Sequence, residues 1–195
     1  MGKRASLRVW FSLSLMAVAA AAALTSWNLL RVMSGFQNAE ASGLLSVGRG
    51  IAEANQLTIG ALYFGIACVL VAGVAYVRAP NYSPPAWLVL SASAVALVPL
   101  AVVWAAESLM LDALPSARNG VVANATLIQR LLFVALVGGI VLSVLFLFGG
   151  ALRVSPTVAP KRSLAAVSLL AGCFVLAAIA FHLRNAWING LYAHL

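Results

Sequence analysis

Leu57–Val77 reads LTIGALYFGIACVLVAGVAYV, with no Asp, Glu, Lys, Arg or His. A helix crossing the hydrocarbon core of a bilayer needs roughly 20 predominantly apolar residues. This stretch meets that length without a charge. Its apolar residues are continuous and do not alternate with polar ones, so it does not read as a barrel strand of about ten residues. Backbone groups in lipid must hydrogen-bond within their own segment, which leaves the α-helix.

Four more uncharged stretches have the same character: Val9–Leu30, Ala86–Trp104, Leu131–Leu152 and Ser163–Phe181. The whole chain of 195 residues is 64% hydrophobic and 8% charged, and its mean hydropathy is +1.04. Soluble domains are nearer half apolar and a quarter charged. A water-soluble fold of this size has too little interior for so much apolar surface. The sequence therefore predicts an all-α integral membrane protein, a single bundle of five transmembrane helices, with the lipid bilayer as its first partner.

The charge pattern gives the threading. Net charge is +8, but the basic residues are spread over the ends of the apolar runs. That is how orientation charges are placed, and it excludes nucleic acid as the natural partner. With the N-terminus inside, the inner segments are residues 1–8, 78–85 and 153–162. They carry Lys3, Arg4, Arg8, Arg78, Arg153, Lys161 and Arg162 and no acid. The outer segments, residues 31–56, 105–130 and 182–195, hold all four acids, Glu40, Glu53, Glu107 and Asp112. The short inner loops are the basic ones, so the expected topology is N-terminus cytoplasmic and C-terminus outside. The first apolar run is longer than a signal-peptide core, which argues for a retained helix. The Ala, Val and Leu bias and the short basic loops fit a bacterial plasma (inner) membrane.

The first, third and fifth stretches begin 77 residues apart, at Val9, Ala86 and Ser163. Trp27 and Met33 recur as Trp104 and Met110. This spacing suggests two and a half parallel copies of a helical hairpin of about 77 residues. The outer connections are long for structureless loops in a compact protein. Ser42–Gln56 and Asn119–Arg130 are expected to continue into the helices that follow them or to lie in the interface. Pro84 and Pro85 stop helix before the third span, Pro99 is expected to kink it, and Pro156 and Pro160 bracket the turn before the fifth.

Catalytic signatures such as HExxH, CxxC, GxSxG or a phosphate-binding glycine loop are absent. Cys68 and Cys173 lie within apolar runs and read as small buried hydrophobes. His182 and His194 fall after the last apolar stretch and do not offer facing ligands for a metal or haem, so no cofactor is expected. Within the apolar runs the polar groups are small: Ser91, Ser93, Ser143, Ser168 and the two thiols. Gly138, Gly139, Gly149 and Gly150, and the Ala61/Gly65 pair, read as places of close helix approach. Trp10, Trp27, Trp87, Trp104 and Trp187 sit at the ends of the runs as interfacial anchors. Asn124-Ala-Thr126 matches the glycosylation acceptor pattern.

One constellation stands out by position. Arg31, Glu53, Glu107, Asp112, Arg130, His182 and Arg184 all fall at the expected outer surface. Both signs of charge can meet there. They read as interfacial ion pairs that set helix depth, or as a gate or binding site for a polar ligand. Three functions follow from these features. The first is a non-catalytic integral membrane subunit packed within a larger assembly or with copies of itself. The second is a small channel or transporter for a neutral or weakly polar solute. The third is an outer-face enzyme using Glu107 or Glu53 with His182.

Overall fold

The computed structural model describes residues 3–38, 43–78, 86–117, 124–148 and 160–192. They form five helices: α1 (Lys3–Asn38), α2 (Gly43–Arg78), α3 (Ala86–Ala117), α4 (Ala125–Leu147) and α5 (Pro160–Tyr192). All five are long and apolar enough to cross a membrane, and the protein is a multi-pass helical bundle. Residues 79–85 and 149–159, which include Pro84, Pro85, Gly149, Gly150 and Pro156, lie outside the described residues, as do Glu40, Asn119 and His194.

The helices are longer than the apolar runs that announce them. At about 1.5 Å per residue, α1 and α2 are each about 54 Å long, against a hydrocarbon thickness of about 30 Å. The outer connections expected at residues 31–56 and 105–130 are therefore largely helix. Residues 43–56 run straight into α2, residues 105–117 complete α3, and residues 125–130 open α4. The tail expected from residue 182 is the last part of α5. The sequence boundaries stopped at the first charge. The helices run on past these charges, whether the side chain is exposed, as at Arg31 and Glu53, or buried among partners, as at Glu107.

Local chemistry explains the ends that are visible. α3 starts directly after Pro85, and α5 opens on Pro160, whose missing N–H and fixed φ suit the first turn of a helix. α4 starts after Asn124, which adopts a left-handed conformation with φ 60°, a state Asn tolerates better than most residues. Its carbonyl accepts the Ile128 amide at 3.0 Å. Pro99 lies inside α3, which is continuous across it.

α1 is the central element. It packs against α2, α4 and α3, while α5 packs against α2 and α3, and α3 against α4. The core runs along it through Phe11, Leu15, Val18, Ala22 and Leu29, all buried. Small residues bring the backbones together. A Cβ built on Gly139 of α4 would lie 2.6 Å from the Ala19 carbonyl oxygen and 2.9 Å from the Ala23 nitrogen. Gly65 of α2 sits against the Phe174 ring of α5, and Gly138 against Pro99. Thr25 and Thr58 share a hydrogen bond of 2.6 Å between α1 and α2. Ser14 and Ser26 turn their hydroxyls back onto the carbonyls of Phe11 and Ala22. Large apolar side chains face outward instead, among them Phe133, Val134, Ile140 and Val141 on α4, as expected where lipid is the solvent.

Candidate functional site

The seven residues singled out by position part company in three dimensions. Arg31, Asp112, Arg130 and His182 are exposed. Glu53 is exposed too, and its carboxylate pairs with Arg49 one turn back on α2 at 3.1 Å. Glu107 and Arg184 come together. Glu107 is fully buried, and the Arg184 side chain keeps only 8% of its surface exposed.

The two residues meet because α3 and α5 lie side by side. Arg184 Nε is 3.5 Å from Glu107 Oε2, an ion pair without a directed hydrogen bond. The rest of the guanidinium is used on α3. Nη1 donates to the Trp104 carbonyl at 3.3 Å and Nη2 to Ser108 Oγ at 3.1 Å. Ser108 in turn donates to the same carbonyl at 2.9 Å. The guanidinium carbon lies 4.1 Å from the centre of the Trp104 ring, a cation–π arrangement that gains strength where water is excluded. Phe181, one turn before Arg184, meets Trp104 edge to face with centroids 5.0 Å apart.

α2 completes the cluster. The Asn55 amide, assigned with its nitrogen towards the carboxylate, donates to Glu107 Oε1 at 2.7 Å and Oε2 at 3.3 Å. The reverse orientation would turn its oxygen towards acceptors alone. Thus one carboxylate from α3 is held by α2 and α5 at once. Asn185, the next residue on α5, is also buried, and its Oδ1 has no hydrogen-bond partner among the described residues.

Sequence reasoning found the two charges but not their neighbours. Asn55 lay in what read as a connection, and Trp104 read as an interfacial anchor. Trp27, Trp87 and Trp187 are indeed more than half exposed, whereas Trp104 lies beneath a guanidinium. The uncharged stretches 86–104 and 163–181 stop short of both charges, and the helices that carry them continue past those stretches. Residues 86–113 and 165–190 each qualify as a membrane-crossing segment, and they contain Glu107 and Arg184. The signal that was available is spacing: Trp104 and Glu107, and Phe181 and Arg184, recur at the same separation of 77.

Chemically, the cluster is closed. The carboxylate faces Asn55 and Arg184, both from this chain, and Glu53 and His182 are not gathered with it. No group of three or more His, Cys, Asp or Glu able to hold a metal ion is present among the described residues. No protein-family model, curated protein or solved structure matches the chain.

Proposed function

We propose that the chain is a non-catalytic integral membrane subunit of a larger membrane assembly, in a bacterial plasma (inner) membrane, with its N-terminus cytoplasmic and its C-terminus outside. The observation that carries this reading is the closure of the Glu107–Arg184 cluster. The strongest polar grouping in the described bundle spends its hydrogen bonds and charge on joining α2, α3 and α5. Charged groups inside spans that serve transport face a cavity or a water path. Here the carboxylate is fully buried. The remaining candidate residues are dispersed over the surface, which gives the enzyme reading no assembled acid–base pair.

A repeat of about 77 residues belongs to the same proposal. Its support is that Trp104 with Phe181, and Glu107 with Arg184, are both 77 apart and both in contact. α3 and α5 therefore cross the bundle in the same direction and at the same depth.

The test is native mass after extraction in mild detergent. A complex well above 20.2 kDa is expected, and a monodisperse lone chain would remove the subunit reading. Accessibility labelling should find residues 153–162 and 193–195 on opposite sides. Labelling of both from one side would remove the orientation.

A further inference from the structure

Arg184 lies in the field of two carboxylates of α3. Glu107 is buried, 3.5 Å from Nε. Asp112 is exposed, and its charge also acts on the guanidinium. Trp104, Ser108 and Asp112 follow one another at every fourth residue, which places them on one strip of the helix. The guanidinium lies over the first two. One turn further along the same strip stands the exposed carboxylate.

The hold on Glu107 is uneven. Asn55 donates to Oε1 at 2.7 Å and to Oε2 at 3.3 Å. Arg184 adds charge from Nε without a directed hydrogen bond, because its two Nη groups are aimed at the Trp104 carbonyl and Ser108. A proton on Oε2 leaves Oε1 free to accept from Asn55, so the contact with α2 survives. The same proton sets an O–H against Nε–H, donor to donor, and removes the counter-charge, so the contact with α5 does not. A buried guanidinium without its partner is costly, and an arginine side chain is long enough to carry its charge out to water. Among the described residues only Arg184 forms an ion pair with Glu107. The charged groups that the other elements bring to this end of the bundle are Arg31 on α1, Arg49 and Glu53 on α2, Arg130 on α4 and His182 on α5. All are exposed, and Arg49 and Glu53 engage each other.

The geometry points to a proton-operated latch between α3 and α5, made of Glu107, Arg184 and Asp112. With Glu107 ionised, the arginine is held inward and the latch is closed. A proton taken onto Glu107 Oε2 from the water at this end of the bundle opens it. The guanidinium then leaves the Trp104 ring and pairs with Asp112, while Asn55 keeps α2 on α3. Only an O–H bond forms, and the proton returns to water when the latch closes. The sign follows: the α3–α5 tie is present above the pH at which Glu107 takes up its proton and is lost below it. This inference goes beyond the subunit reading and holds for a lone chain as for an assembly.

Trp104 reports where the guanidinium is. Tryptophan emission of the full chain in lipid nanodiscs is therefore followed from about pH 9 to about pH 5, above the region near pH 4 where carboxylates in water titrate. A reversible one-proton transition is expected. Trp104→Phe should remove it. Glu107→Gln imitates the protonated acid and should show the low-pH emission at every pH. Asp112→Asn takes the anion from the open state and should move the midpoint about one pH unit lower, a tenfold loss of proton affinity. Infrared difference spectra of the unaltered chain should show a protonated carboxyl C=O band rising with the same midpoint, a readout that does not depend on any variant folding. Histidine also changes charge in this range, so the double variant His182→Gln/His194→Gln must keep the transition. Emission or a carboxyl band that does not change with pH in the unaltered chain would overturn the latch. So would a transition that survives Glu107→Gln, one that is lost with the histidines, or a midpoint indifferent to Asp112→Asn.

Discussion

Glu107 and Arg184 are 77 residues apart in the chain and 3.5 Å apart in the fold. Three helices from different parts of the sequence depend on that proximity, because Asn55 of α2 holds the other side of the same carboxylate. An arginine this close to a helix end is long enough to reach water. This one turns inward and covers Trp104 instead. Glu107 is the carboxylate in direct contact with its charge.

Removing one member of the pair should therefore cost more than removing both. Glu107→Leu leaves a guanidinium buried without its counter-charge and is expected to destabilise the bundle by about 3–5 kcal/mol. The double variant Glu107→Leu/Arg184→Leu should recover most of that loss, because apolar replacements of a buried pair are often neutral. Thermal unfolding in detergent measures both. Equal destabilisation by the single and double variants would show that the pair is not coupled.

Asn55 should behave as a partner of the carboxylate. Asn55→Leu removes the amide donor shared by both oxygens of a fully buried carboxylate, and the expected cost is about 1–3 kcal/mol. The effect should vanish in the Glu107→Leu background, since no acceptor is left to satisfy. A double-mutant cycle on unfolding free energies reads this directly.

Two glycines separate packing from propensity. Gly139→Leu drives a side chain into the α1 backbone at Ala19 and Ala23, and it should prevent α4 from seating, seen as loss of a cooperative melt. Gly73→Ala meets nothing within 4 Å. It should be neutral or stabilising by about 0.5–1 kcal/mol, as alanine is preferred in helix interiors. Matching losses from the two variants would contradict the described crossing.

The Arg49–Glu53 pair is the control for the buried one. Both side chains are largely exposed, at 82% and 65%. Glu53→Gln should change stability by no more than about 0.5 kcal/mol, and less at high salt. A large loss would place this turn of α2 in a drier setting than its exposure indicates.

A smaller interhelical tie joins α1 to α2. Thr25→Val keeps the shape of the side chain but removes the bond to Thr58. Hydrogen bonds between membrane helices average about 0.6 kcal/mol, so the melting temperature should fall slightly while oligomeric mass is unchanged.

The five membrane-crossing segments were legible because each carries an apolar run of bilayer length, and lipid leaves the backbone few alternatives. Their true lengths were not. Charges such as Arg31, Glu53 and Glu107 look like span ends in a linear reading, yet the helix runs on past all three. Arg31 and Glu53 point outward, and Glu107 points in. The pairing of Glu107 with Arg184 was latent in the spacing of 77, which sets equal depth but not adjacency. Adjacency follows from α3 lying beside α5, a packing choice that Phe181 and Trp104 make together through their edge-to-face contact. Asn55 was illegible for a simpler reason. A single amide carries no pattern until its neighbours are known.

The central place of α1 has a bearing on how the protein is made. Its groove at Ala19 and Ala23 receives Gly139, a residue translated more than a hundred positions later. At about 5–20 residues per second, that interval lasts on the order of ten seconds. During it, the first helix stands in the nascent bilayer with one flank uncovered. Lipid tails or an insertase must occupy that flank and then yield it when α4 emerges.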